Sequence, residues 1–151
     1  MVRLSVNVNK VATLRNSRGG AEPSVIAATQ ACVDAGAPGI TVHPRDDERH
    51  IRPADVYEVA KLLAPMRDRV EYNIEGDPRP DWVEMVESVR PHQCTLVPVR
   101  PGELTSEAGW PANTPKRELQ QLVSRFHDSG VRVSVFVDPI SAPIEWAAEL
   151  G

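Results

Sequence analysis

Leu4, Val6 and Val8 alternate with Ser5, Asn7 and Asn9, a period of two that predicts an opening strand with Asn7 and Asn9 on one face. Lys10 ends that strand, and residues 11–16 read as a loop or a single helical turn. The period then changes. Val25, Ile26, Ala28, Ala31, Cys32 and Ala35 fit one face of a helix over residues 23–35, with Pro23 in its first turn and Gly36 as its stop. The β-branched run Ile40, Thr41 and Val42 predicts a buried second strand ending at His43. From there the alternation repeats: a helix over Pro53–Leu63, a strand over 70–74 that delivers Glu75, a helix over Pro80–Val89 and a strand over 93–97. A long polar loop over 98–114, a helix over 116–128, a strand over 131–137 and a last helix from 142 complete the pattern.

Repeated strand–helix units imply a parallel α/β sheet with right-handed crossovers. Two architectures accept five of them: an open doubly wound sheet, or part of a (β/α)8 barrel, whose full circle takes about 250 residues. Period favours the open sheet, which would be complete at this length, and 151 residues make one domain, 1–151. Hydrophobic residues at 41% and charged residues at 25% are ordinary for a soluble globular protein. A formal net charge of -4 argues against nonspecific nucleic-acid binding but allows a local basic pocket. No apolar run approaches membrane-spanning length, and the opening MVRLSVNVNK is a strand pattern rather than a signal peptide, so the expected location is cytoplasmic. Cys32 and Cys94 lie in apolar segments without metal-ligand or redox spacing, which points to core packing.

The candidate chemistry centres on residues 39–51, GITVHPRDDERHI. In parallel α/β folds, ligands meet the loops that follow strand C-termini. His43 at such a strand end, followed by Arg45, Arg49 and His50, suggests an anionic substrate handled by a titratable base. The loop carboxylates read as a solvated surface. Glu75 holds the same place on the third strand that His43 holds on the second, so the two could share proton transfer. Arg15, Arg18, Gly19 and Gly20 in RNSRGG form a flexible segment that could close over a phosphate, although basic glycine-containing surface loops are common. The loop over 98–114, with Thr105, Ser106 and Glu107, has the length of a functional lid. His92 precedes a strand and so lies at the opposite end of the sheet, and His127 near a helix C-terminus suits the helix dipole.

The strings SVNVNKVATLRNSRGG, GITVHPRDDERHIRPADV, EYNIEGDP and PHQCTLVPVRPGELTSEAGW closely resemble the bacterial pyridoxine 5′-phosphate synthase family, in order and at family spacing over residues 4–151. The resemblance implies a (β/α)8 barrel with about five βα units present, an incomplete barrel. It also implies a transferase of vitamin B6 biosynthesis that joins 1-deoxy-D-xylulose 5-phosphate to 3-amino-2-oxopropyl phosphate, with loss of inorganic phosphate and water. Such enzymes are cytoplasmic homo-octamers that need no organic cofactor or metal. Carried over, His43 and Glu75 become the acid/base residues, Asn7 and Arg18 bind the amino-ketone phosphate, and Arg45, His50 and Thr105 hold the deoxyxylulose phosphate. Asn9 and Lys10 fall where many members carry Asp and His for that same substrate. Asn keeps the hydrogen bonding but cannot exchange a proton, and Lys is a nearly permanent cation.

Family members continue with strands six to eight, a second catalytic His, a Glu and a glycine phosphate site, none of which falls within these 151 residues. An unclosed barrel has two exposed parallel edges, which predicts self-association. Two other classes stay open. A catalytically silent phosphate-binding or assembly module would bind phosphorylated ligand without forming product; an open-sheet enzyme or response domain of flavodoxin type would show a complete sheet with polar edges.

Overall fold

The computed structural model describes residues 3–100 and 106–151. Its strands are β1 (Val6–Asn7), β2 (Gly39–Val42), β3 (Glu71–Gly76), β4 (Gln93–Leu96) and β5 (Arg132–Val135), and its helices are α1 (Asn9–Arg18), α2 (Val25–Asp34), α3 (Pro53–Leu63), α4 (Pro80–Val89), α5 (Arg117–Asp128) and α6 (Ser141–Ala148). All the strands are parallel, and they lie in the order β1-β2-β3-β4-β5. A doubly wound sheet must reverse its order at a switch point. Here each strand pairs with its successor in the chain and the sheet never reverses, so it is built as an arc of a (β/α)8 barrel, and the preference for an open sheet drawn from the period is overturned.

Local chemistry departs from the sequence pattern most at the start. Asn9 does not continue the first strand and Lys10 does not close it; both sit in the first turn of α1. The cause is Asn7, whose Oδ1 accepts the Asn9 N–H at 2.9 Å and turns the chain into a helix. That helix runs through Arg15 and Arg18 to Gly19, which takes the left-handed conformation at φ 66°. RNSRGG is therefore largely helical rather than a flexible loop, and two helices separate β1 from β2. Helix α2 begins after Ser24, whose hydroxyl accepts from the Ala27 N–H, so Pro23 precedes the cap instead of entering the first turn.

The two faces of the sheet differ in chemistry. Ile40, Val42, Tyr72, Ile74, Cys94 and Leu96 are buried with Val56, Val59, Trp82, Val86, Val123 and Phe126 of the helices in one apolar core. Ser5, Thr41, Asn73, Thr95 and Ser134 lie on the other face. There Ser5 Oγ and Thr41 Oγ1 are 2.7 Å apart, Asn73 Nδ2 donates to Thr41 Oγ1 at 3.3 Å, and Thr95 Oγ1 reaches Asn73 Oδ1 at 3.0 Å and Ser134 Oγ at 2.7 Å. One polar rung thus runs from Ser5, just before β1, across β2, β3, β4 and β5, its members hydrogen-bonding one another. His92 behaves as a structural group: its Nδ1 accepts the Tyr72 N–H and its Nε2 meets the Arg67 carbonyl.

The exit of β3 is held from the helical side. Trp82, fully buried on α4, donates its indole N–H to the Glu75 carbonyl at 3.0 Å and meets Phe126 edge-on, with ring centroids 5.9 Å apart. The indole lies so close over Gly76 that a Cβ there would stand 2.2 Å from Trp82 Nε1. Gly76→Ala should therefore overpack this contact and lower stability by about 2–3 kcal/mol, read as a lower urea midpoint with an unchanged slope.

Candidate active site

Parallel pairing decides which side chains meet. Val42 is in register with Ile74, so the next residues on each chain, His43 and Glu75 in step with it, leave β2 and β3 side by side at their carboxyl ends. Asn9 Oδ1 accepts the His43 backbone N–H at 2.9 Å and pins that strand end to the start of α1. Asn7, with its Oδ1 engaged by the Asn9 N–H, directs Nδ2 toward Glu75 Oε2 at 3.4 Å. His43 is only 7% exposed, and its buried Nε2 has no hydrogen-bond partner among the described residues. A cavity of about 490 Å³ opens there, lined by Asn7, Asn9, Lys10, Thr13, His43, Arg45, Arg49, His50 and Ser106. That volume suits a small ligand. A larger depression of about 830 Å³ lies between α4 and α5 against Val83, Trp110, Leu119 and Leu122, and none of these polar residues lines it.

The loop carrying Arg45 and His50 is strapped to α1. Arg15 is buried in a two-pronged pair with Asp55, Nη1 to Oδ1 at 2.5 Å and Nη2 to Oδ2 at 2.9 Å, and Nη2 also reaches the His50 carbonyl at 3.3 Å. Asn16 Nδ2 donates to the same carbonyl at 2.8 Å and to that of Glu48 at 3.1 Å. Arg15 therefore acts as a brace and not as a phosphate clamp, correcting the sequence expectation. Arg18 is exposed on the last turn of α1 and does not line the cavity. Thr105 lies outside the described residues. Arg79, which the sequence pattern did not single out, joins the two strand exits: Nη2 donates to the Pro44 carbonyl at 3.1 Å, while Nη1 and Nε hold Asp77 and Asp81. Its place in the loop after β3 is the signal that could have revealed it.

Over residues 4–151 the chain matches the family of the pyridoxal phosphate biosynthesis protein PdxJ. The chain belongs to that family. A curated pyridoxine 5′-phosphate synthase of Bacteroides fragilis (strain YCH46) is 50% identical over 151 residues, which is 100% of this chain and 62% of the relative. Pyridoxine 5′-phosphate synthases of Phocaeicola vulgatus and Porphyromonas gingivalis are 51% and 50% identical, again over 100% of this chain and 61% of each relative. The chain spans about three fifths of the length of these curated relatives. The family fold is the (β/α)8 barrel, and β1 to β5 form consecutive strands of it. Among the described residues no helix is long and apolar enough to cross a membrane, and no group of three or more His, Cys, Asp or Glu is placed to hold a metal ion.

Burial shifts the protonation of the side chains at these strand ends. Loss of water pushes the His43 imidazole down to about 3, and the nearby charges of His50, Arg45 and Arg79 add to the effect. Burial, with Arg45, likewise lowers His50 to about 4. Glu75 is raised by burial. At neutral pH His43 is therefore a neutral ring able to accept a proton, 5.7 Å between centroids from the His50 ring. His50 Nδ1 accepts the Ile51 N–H at 2.9 Å, so its neutral ring carries the proton on Nε2, a donor.

These shifts fix the sign of a pH effect. Between about pH 3 and 6.5 the unfolded chain protonates His43 and the folded chain does not, so this residue makes stability rise with pH across that window. Glu75, with its raised value, acts in the opposite direction just above its ordinary range. Comparison with His43→Gln isolates the histidine: on going from pH 7 to pH 5 the variant should gain on the wild type by up to about 1.4 kcal/mol per pH unit below the ordinary histidine value. Urea denaturation at each pH measures this, and parallel stability curves would show that His43 titrates normally.

Proposed function

We propose that this chain carries the acid/base pair and much of the substrate site of a pyridoxine 5′-phosphate synthase, joining 1-deoxy-D-xylulose 5-phosphate to 3-amino-2-oxopropyl phosphate to give pyridoxine 5′-phosphate, phosphate and water. The observation that carries this is the neutral, buried His43 beside Glu75 at the ends of β2 and β3, next to a cavity lined by cations. Amine–ketone condensation, loss of phosphate and ring closure are successive proton transfers at nitrogen, carbon and oxygen. A neutral imidazole with a vacant Nε2 accepts such protons, and a carboxyl raised by burial returns them. The Asn7 amide lies between the two strand exits, where it can hold a polar substrate atom or the Glu75 carboxylate.

Lys10, Arg45 and His50 supply charge and hydrogen-bond donors for a phosphoryl group, beside the positive end of the α1 dipole. In this scheme Arg45, His50 and Thr105 hold the deoxyxylulose phosphate with Asn9 and Lys10, while Asn7 and Arg18 hold the amino-ketone phosphate. Binding both phosphates keeps the two reactants in attack geometry. The Asn9 side chain keeps an acceptor, engaged by the His43 N–H, and has no proton to shuttle. No organic cofactor or metal enters the scheme, and the protein works in the cytoplasm as a self-associated assembly such as the family's homo-octamer.

A second reading has its own support. Among the described residues β1 and β5 each pair along one edge only, as expected of an arc that gains its remaining neighbours from elsewhere, and residues 1–151 would then act as a phosphate-binding or assembly module without turnover. An assay with both phosphorylated substrates, following pyridoxine 5′-phosphate by absorbance and fluorescence, separates the two. Turnover that falls by about 10²–10⁴-fold in His43→Ala and Glu75→Gln supports the synthase. Binding of deoxyxylulose phosphate without product supports the silent module, and absence of both binding and product overturns both.

A further inference from the structure

Asp47 bridges the two arginines of the loop between Pro44 and Ile51. Its Oδ2 accepts from Arg49 Nη2 at 2.5 Å and Nε at 2.8 Å, and from Arg45 Nη2 at 3.4 Å, while its Oδ1 accepts the Arg49 backbone N–H at 3.2 Å. Both arginines line the cavity beside His43, together with Lys10 and His50. They also line a second hollow of about 570 Å³, shared with Asp47 itself, Asp46, Asp77, Arg79 and Arg100. The three side chains differ in their freedom: that of Arg45 is 8% exposed and that of Arg49 is 34%, whereas that of Asp47 is 41%. Asp47 sits in a turn whose next residue, Glu48, has a positive φ of 48°, and the turn is closed by the Glu48 N–H on the Arg45 carbonyl.

We propose that Asp47 is an internal competitor for the anion site. It neutralises Arg45 and Arg49 while the cavity is empty, a phosphoryl group displaces it, and it returns as phosphate departs. The proposal rests on the reading of this cavity as a phosphoryl site. Its physical basis is an exchange rather than a simple gain. A buried guanidinium such as Arg45 is costly without an anion beside it, and Asp47 keeps one there in the empty state. When a phosphoryl group enters, the Asp47 carboxylate swings into solvent that it already partly meets, so its own desolvation cost is small. Arg45 and Arg49 stay in place, because the arginine that faces the core is the fixed member and the carboxylate is the mobile one. The affinity of the site is thereby lowered by a constant factor, and release of product phosphate is assisted by an anion waiting to replace it.

An internal competitor has a signature that a fixed negative charge lacks. Displacement of the competitor reduces the affinity of every anion by the same factor, whereas a fixed charge repels a dianion about twice as strongly, in free energy, as a monoanion. Calorimetric titration of the chain with inorganic phosphate at pH 8, and with acetate by competition against phosphate, at low ionic strength, reads the difference. In Asp47→Asn both anions should bind about three- to tenfold more tightly, by the same factor. Asp46→Asn, on the same loop and in no ion pair among the described residues, should leave both affinities within about twofold. A gain for phosphate much larger than that for acetate, a weaker phosphate affinity in Asp47→Asn, an unchanged one, or an equal effect of Asp46→Asn would each overturn the proposal. Phosphate binding to neither the wild type nor Asp47→Asn would overturn the phosphoryl reading of the cavity itself.

Discussion

Parallel pairing in chain order is the constraint on which the rest of the molecule depends. Because each strand lies beside its successor, every strand C-terminus reaches the same edge of the sheet, and the Val42–Ile74 register brings His43 and Glu75 there together. Their chemistry follows from that position. At the edge, the side chains turn inward over a polar rung of Thr41 and Asn73, where His43 is buried and Glu75 half-buried. Loss of water moves a histidine and a carboxylic acid in opposite directions, and both movements favour the neutral form. Burial thus lowers the proton affinity of His43 and raises that of Glu75 at adjoining strand ends.

The strand ends could not hold these positions unaided, since β1 and β2 are short. Three contacts from outside the sheet fix them. Asn9 holds the His43 backbone from the first turn of α1, Trp82 holds the Glu75 carbonyl from α4, and Arg79 reaches from the β3 exit to the Pro44 carbonyl. The Arg15–Asp55 pair performs the same task one layer further out, joining α1 to α3 and meeting the His50 carbonyl on the way. Both of its side chains are 8% exposed, so removing either partner would strand a charge in a place that water barely reaches. Rigidity at the strand ends therefore comes from helices on the outside, and the loop between Pro44 and Ile51 is itself closed by a β-bridge between those two residues.

Charge is distributed unevenly around this frame. The chain is acidic overall, with a formal net charge of -4, but Lys10, Arg45, Arg49, Arg79 and Arg100 gather along two adjoining hollows. Asp47, Asp77 and Asp81 partly offset them, and all three lie in the same βα loops or the helix start that follows. Carboxylates that look like ordinary solvated surface in the sequence are thus partners of the arginines that line these hollows. That cationic charge is concentrated at the edge of the sheet where the strand C-termini converge.

The sequence by itself determined most of the elements. Helices α3 and α4 begin at Pro53 and Pro80 as expected, because proline supplies the dihedral angle of a first turn and lacks an N–H that would go unpaired there. The strands followed from short β-branched or alternating runs, and the placing of His43 and Glu75 at strand ends followed from them. The motif strings were specific enough to indicate the family that the comparison then showed. Helix α1 was not legible, because NKVATLRNSR has no continuous apolar stripe; its start depends on the Asn7 side chain and its burial on Ala12 and on Arg15 meeting Asp55 forty residues away. Strand order, the enclosure that neutralises His43 and the bridging of two arginines by Asp47 belong equally to the tertiary structure. Each depends on which distant residues become neighbours and how much water they lose, and a one-dimensional pattern of hydrophobic and polar positions carries neither quantity.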